Sequence, residues 1–315
     1  MVAVRGQMHE LADVSALAAA VDAALADEDH RMTIGLRSLD LDEWIEDLPD
    51  FDAQLREKQR VLDGASDVIG ALDGSHAAQA ELLALLRAHL LARFPQRYRA
   101  TPDALVLAAT GATVSTHAEV ATPIANAGHL VPEDLCLMRA DDSGAYCLVA
   151  AALAFPTRWR LAEKMGKPML AIHAPVPGYG ESIGKATDAL MAGLKVERPR
   201  WRLNWSVVDA PDLHQPTRPP MGVRNMQKSV AQQLWVRTER QTLRRLPESG
   251  DVLFTIRIRQ VTVAQLCKLP GAAGRLLAHM NAMPEALKAY KRISDVKAVL
   301  GNYLERQAAS DSWLD

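Results

Sequence analysis

The residue of this chain best placed to do chemistry is a histidine between stiff neighbours. Residues 170–179 read Leu-Ala-Ile-His-Ala-Pro-Val-Pro-Gly-Tyr, with the imidazole at His173. Each proline fixes its own φ, removes a backbone donor and pushes the preceding residue out of helical geometry. Pro175 and Pro177 therefore predict an extended run from Ala174 to Pro177 that aims His173. An imidazole held in this way can ligate a metal or a heme iron, or it can be a satisfied structural residue. The other histidines lack such flanks: His89 falls on a helical stripe, and His117, His129 and His214 sit in loop-like contexts. None forms an H-x-H or H-E-x-x-H spacing, which speaks against a zinc hydrolase.

Arg240 is the second candidate. Side chains along Leu234–Leu243 alternate between two faces if the segment is a strand. Leu234, Val236, Thr238, Arg240 and Thr242 then share one face, and Trp235, Arg237 and Glu239 the other. Arg240 follows two aliphatic residues towards the side expected to be buried, where a guanidinium keeps its proton and needs an anion, a carbonyl or a ligand. It reads either as a core arginine paired with a carboxylate or as an arginine reaching into a ligand cavity to stabilise developing negative charge. Gly178-Tyr179-Gly180 lacks the Gly-Lys-Ser/Thr ending of a phosphate loop. Its glycines read as turn residues, and Tyr179 as a cap or pocket lining.

Composition narrows the class. The chain has 315 residues, 49% apolar and 23% charged, with a formal net charge of -2. That is ordinary for a soluble globular protein and provides no long-range field for nucleic acid or an anionic membrane. Cys136, Cys147 and Cys267 are the only cysteines. Their number and spacing support neither a disulfide framework, nor a cysteine zinc site, nor a four-thiolate iron–sulfur cluster. A reducing compartment is expected. The start Met-Val-Ala-Val-Arg-Gly-Gln lacks signal-peptide features and no apolar run reaches spanning length, so a cytoplasmic location without membrane partners is expected.

Four regions are expected: an alanine-rich lead-in at 1–34, loosely ordered; a helical segment at 35–100; a core at 101–262; and a helical segment at 263–315. In the second, Ser75 is a candidate N-cap for Ala77–Phe94, where Leu82, Leu85, Leu86 and Leu90 lie at helical spacing. In the core, strands are expected near Leu105, at Leu135–Met138, Tyr146–Phe155, Trp201–Val208, Leu234–Leu243 and Val252–Val261. Turns are expected at Asp141–Gly144 and Pro247–Gly250. A short helix is expected at Trp159–Met165. A further helix, at Glu181–Leu194, would carry Ile183, Leu190 and Leu194 on one face, and Ala272–Tyr290 returns to helix. This order predicts an α+β fold, an antiparallel sheet with its helices grouped on one side.

Six blocks carry a family resemblance. They are Leu135-Cys-Leu-Met, Phe155-Pro-Thr-Arg-Trp, Gly166-Lys-Pro through Ile172-His-Ala-Pro-Val-Pro-Gly-Tyr, Trp201-Arg-Leu-Asn-Trp-Ser-Val, Glu239-Arg-Gln-Thr-Leu-Arg-Arg-Leu-Pro and Phe254-Thr-Ile-Arg. In this order they resemble the heme-dependent oxidative N-demethylase family, and the resemblance extends over most of the chain from about residue 35. It implies a PAS-like antiparallel sheet with flanking helices that binds heme b. The implied activity is oxidation of a small methylated amine, dimethylamine-like, with dioxygen, releasing formaldehyde. Electrons would come from NADPH through flavin and iron–sulfur centres on reductase subunits in trans, with tetrahydrofolate available to capture the formaldehyde. The same resemblance implies His173 as the ligand of the heme iron and Arg240 as the catalytic residue that polarises dioxygen. One of Pro175, Pro177 and Pro247 would line the oxygen site, and Pro175, Pro177 and Tyr179 are expected to border the cofactor with His173. Ile258-Arg259 departs from the more usual Thr-Tyr ending of the last block. A noncatalytic heme-PAS gas or redox sensor is the alternative that the same residues would serve.

Overall fold

The computed structural model describes residues 14–25, 35–182, 184–217, 222 and 227–311. The described residues form ten strands, β1 (Arg37–Ser38), β2 (Ile69–Ala71), β3 (Tyr98–Ala100), β4 (Ala104–Leu107), β5 (Thr113–Ser115), β6 (Asp134–Ala140), β7 (Tyr146–Ala152), β8 (Arg200–Val208), β9 (Trp235–Arg245) and β10 (Val252–Thr262). Seven form one antiparallel sheet in the order β1-β8-β9-β10-β6-β7-β2, and β3-β4-β5 form a small second one. The fold is α+β, as the element order predicts. The strand expected near Leu105 exists as β4, in the smaller sheet.

The hairpins follow from their turn residues. Between β6 and β7, Asp141 Oδ1 accepts from the amides of Ser143 (2.8 Å) and Ala145 (3.1 Å), and Gly144 takes φ +84°, a conformation that costs glycine little. Pro247–Gly250 joins β9 to β10, whose full-length register pairs Arg240 with Arg257 and Glu239 with Ile258. Helical lengths follow their caps and breakers. The helix predicted over Ala77–Phe94 runs from His76 to Arg93, and the one predicted over Ala272–Tyr290 is two helices, Ala272–Ala282 and Glu285–Tyr290. Pro284 separates them, because proline is tolerated at a helix start and not in its interior.

Helices cover both faces of the sheet, not one. On the first face, Phe51–Gly64 and His76–Arg93 pack Phe51, Leu55, Leu82 and Leu86 against Leu135, Leu137 and Leu253. On that face too, Val207, Val236 and Val261 meet a helical layer built from Val14–Leu25, Ala272–Ala282 and Lys297–Asp311. The expected loose lead-in differs here: Leu17, Ala18, Val21 and Leu25 are all buried in that layer, because four small or aliphatic side chains at helical spacing suffice to dock a twelve-residue helix. The rest of residues 1–34, like Ile183, lies outside the described residues. The opposite face presents Cys136, Met138, Leu148, Leu243 and Val252 to the crossover between β7 and β8. That crossover carries the Pro-rich stretch.

Candidate functional site

The Pro-rich stretch is a pair of turns and not the extended run that its prolines predict. Met169–Ile172 is a single helical turn that ends at His173, the amide of Val176 donates to the His173 carbonyl (2.8 Å), and that of Tyr179 to the Val176 carbonyl (3.2 Å). In the second turn Pro177 and Gly178 are the central residues and Gly178 has φ +73°, the arrangement of a type II turn. Proline excludes helix, yet it suits the first corner of such a turn as well as it suits a strand. His173 is fixed by these turns, by Met169 and by Tyr179.

Two contacts define the imidazole. Nδ1 lies 3.0 Å from the Met169 carbonyl oxygen, which can only accept, so Nδ1 carries the proton and Nε2 the free lone pair. The Tyr179 ring stacks on the imidazole at 4.5 Å and 16°, while its hydroxyl meets Thr187 Oγ1 at 3.1 Å. Burial holds the His173 pKa below its ordinary value. The result is a neutral, oriented imidazole whose Nε2 makes no hydrogen bond with a described residue.

Across from it, the sheet contributes polar groups. Alternation along β8 and β9 puts Arg202, Asn204, Glu239 and Gln241 on the face that carries Leu243, because Arg202 pairs with Gln241 and Asn204 with Glu239. The Glu239 carboxylate accepts from Thr157 Oγ1 (3.0 Å), Asn204 Nδ2 (3.2 Å) and Gln241 Nε2 (2.9 Å). Lys291 Nζ donates to Asn204 Oδ1 (3.0 Å), and burial lowers its pKa to about 8. Arg202 differs from its neighbours: its Nε is buried without a partner, burial lowers its pKa, and its charge reaches both His173 and Tyr179. Beside these groups lie half-buried Trp159, Met165, Met169, Ile172, Phe254 and Ile256, an apolar lining next to a cationic end.

Sequence reasoning missed Arg202, although it stands inside the Trp-Arg-Leu-Asn-Trp block. A cation between two tryptophans at strand spacing was the available signal. Among the described residues no group of three or more His, Cys, Asp and Glu side chains could hold a metal ion. No described helix is long and apolar enough to cross a membrane.

Arg240 requires a correction. It points to the other face of the sheet, where its guanidinium donates to the carbonyls of Glu43 (2.8 Å) and Trp44 (3.4 Å), with Nε 3.3 Å from Glu46 and the Trp201 ring alongside. The physical reason is that both faces are covered, so that a buried arginine on alternation alone belongs equally to either; here the carboxylate partner is Glu46. Arg240→Met is accordingly expected to lower stability by about 3 kcal/mol in urea denaturation and to leave any heme spectrum unchanged. Pro247 is also remote from the imidazole, being exposed at the β9–β10 hairpin tip, where Glu81 accepts from the amides of Glu248 and Ser249. Pro175 is exposed and Pro177 half-buried, both in the His173 turns.

The protein-family model described as "Haem-dependent oxidative N-demethylase, alpha subunit-like" matches residues 35–301. The matched region contains the whole seven-stranded sheet, the His173 turns and Lys291.

Proposed function

The chain belongs to the heme-dependent oxidative N-demethylase, alpha-subunit-like family, and on that premise we propose that it binds heme b through His173 and removes a methyl group from a small, dimethylamine-like amine. The observation that carries this reading is the state of His173, with Nδ1 committed to the Met169 carbonyl and Nε2 left with its lone pair. A carbonyl on the far nitrogen is what raises the basicity of a metal-bound imidazole and fixes its tautomer. The half-buried apolar side chains beside it suit the body of a porphyrin, and Arg202, whose Nε has no partner among the described residues, suits its negative charge.

Strand topology supports the same reading. Numbered by their order in the chain, β6, β7, β8, β9 and β10 lie in the sheet as 2-1-5-4-3, with the helical crossover between the second and third. That order supports reading the sheet as PAS-like.

When bound, heme supplies the activation of dioxygen. The balanced reaction for dimethylamine takes one dioxygen, two electrons and two protons to methylamine, formaldehyde and water. His173 holds the cofactor, Arg202 places a fixed positive charge where negative charge develops, and the lining from Phe254, Ile256 and Ile172 keeps bulk water from the reacting methyl group. Glu239 has its oxygens occupied by Thr157, Asn204 and Gln241, so it orients those groups. Electrons enter from reductase subunits in trans, drawing on NADPH through flavin and iron–sulfur centres. Reconstituted protein, given dithionite-compatible reductant cycles, dioxygen and a panel of methylated amines, is expected to release formaldehyde in proportion to demethylated amine. A protein that takes up heme and binds gases reversibly, yet never releases formaldehyde, returns the chain to the sensor reading.

A further inference from the structure

On the sheet face opposite His173, three neighbouring side chains each carry a buried nitrogen without a partner among the described residues. Trp44 is fully buried and its Nε1 makes no hydrogen bond; His89 Nε2 and Arg244 Nε are buried and equally unsatisfied. The three side chains touch: the Trp44 and His89 rings lie 5.1 Å apart at 62°, and the Arg244 guanidinium sits 4.5 Å from the centre of the Trp44 ring. Buried polar groups in folded proteins are almost always satisfied, and a cluster of three that is not marks a missing occupant.

The chemistry of the three atoms selects that occupant. Trp44 Nε1 and Arg244 Nε can only donate, and His89 Nε2 donates in one of its tautomers, so the occupant must be an acceptor. Charge narrows it further. Among the described residues Arg244 makes no ion pair, and Arg93, a second cation near His89, is engaged 3.2 Å from Asp42 at the exposed edge. Glu81, whose charge acts on Arg244, accepts the Glu248 and Ser249 amides (2.7 and 2.8 Å). A neutral carbonyl would satisfy a donor, and an anion would in addition pair with the Arg244 charge. We propose that Trp44, His89 and Arg244 form a binding site for a small oxyanion, a carboxylate or a phosphate, separate from the heme face.

The site has a readout of its own. Burial, with Arg244 and Arg93 in support and Asp42 opposing, holds His89 at a pKa of about 4, so that it is neutral at pH 7. An anion seated against it favours the protonated ring, so its titration should shift upward on binding. The experiment follows the His89 ring proton by NMR, assigned as the resonance lost in His89→Phe, while acetate or inorganic phosphate is added at constant ionic strength. A saturable shift with either anion, weakened at least tenfold in Arg244→Gln and partly kept in Arg244→Lys, supports the site, and the tighter anion names the class. If Arg244→Gln fails to fold, calorimetry on His89→Phe replaces it, with the same tenfold loss expected. No saturable shift, or equal affinity in the variants, overturns the proposal and leaves water as the partner of the three nitrogens.

Discussion

His173→Ala is expected to yield folded protein that takes up no heme. The substitution removes a side chain with an oriented imidazole whose Nε2 keeps its lone pair, while the turns around it are held by backbone bonds from Val176 and Tyr179 that alanine leaves in place. Loss of an outer partner of a metal ligand costs roughly 10–100-fold in affinity, and loss of the ligand itself should exceed about 100-fold. Far-UV circular dichroism should match the parent, the Soret band should vanish, and added imidazole should restore part of it by filling the vacated space. An unchanged spectrum would mean that another residue ligates the iron. Acid gives the same answer more gradually. Only the neutral ring can donate its lone pair, and burial sets the His173 pKa below the ordinary 6.5. Heme should therefore be retained as pH falls through 6.5 and lost only below the depressed value.

Arg257→Ala should be the most destabilising single substitution on the opposite face. The guanidinium is fully buried, donates to Asp50 Oδ1 at 2.7 Å and to Gln54 Oε1, and lies 6.0 Å from the Phe51 ring. Gln54 in turn donates to the Ile258 carbonyl (3.0 Å), so one substitution strands a carboxylate and loosens the bond between the Phe51–Gly64 helix and β10. Breaking a buried pair from one side costs about 3–5 kcal/mol, a large share of the roughly 5–15 kcal/mol that holds a domain folded. Urea midpoints should record that loss. The double substitution Arg257→Met with Asp50→Leu should recover much of it, because it leaves no charge alone in the core.

The sheet was legible because its strands announce themselves twice, by alternation and by turn chemistry. Asp141-Asp-Ser-Gly and Pro247-Glu-Ser-Gly each close a hairpin, and β8, β9 and β10 lie within two residues of their expected limits. His173 was legible as a residue of interest, although for an incomplete reason: the prolines bend the chain around it, and the Met169 carbonyl four residues back, invisible to any motif, sets its tautomer. Arg240 was not legible. Alternation separates the two faces of β9 without saying which one meets a ligand, and with helices on both sides burial does not distinguish them. Arg202 escaped notice because its significance lies in an absent hydrogen bond, which no residue pattern records.

The alternation of β9 has a practical corollary for variation in this chain. Side chains at Glu239 and Gln241 belong to one compartment and those at Arg240 and Thr242 to another, so exchanging a residue edits one compartment and spares the other. Adding or deleting a single residue would transpose them all at once. Divergence in what the Glu239 compartment accommodates should then proceed by replacement within β9, never by a change in its length.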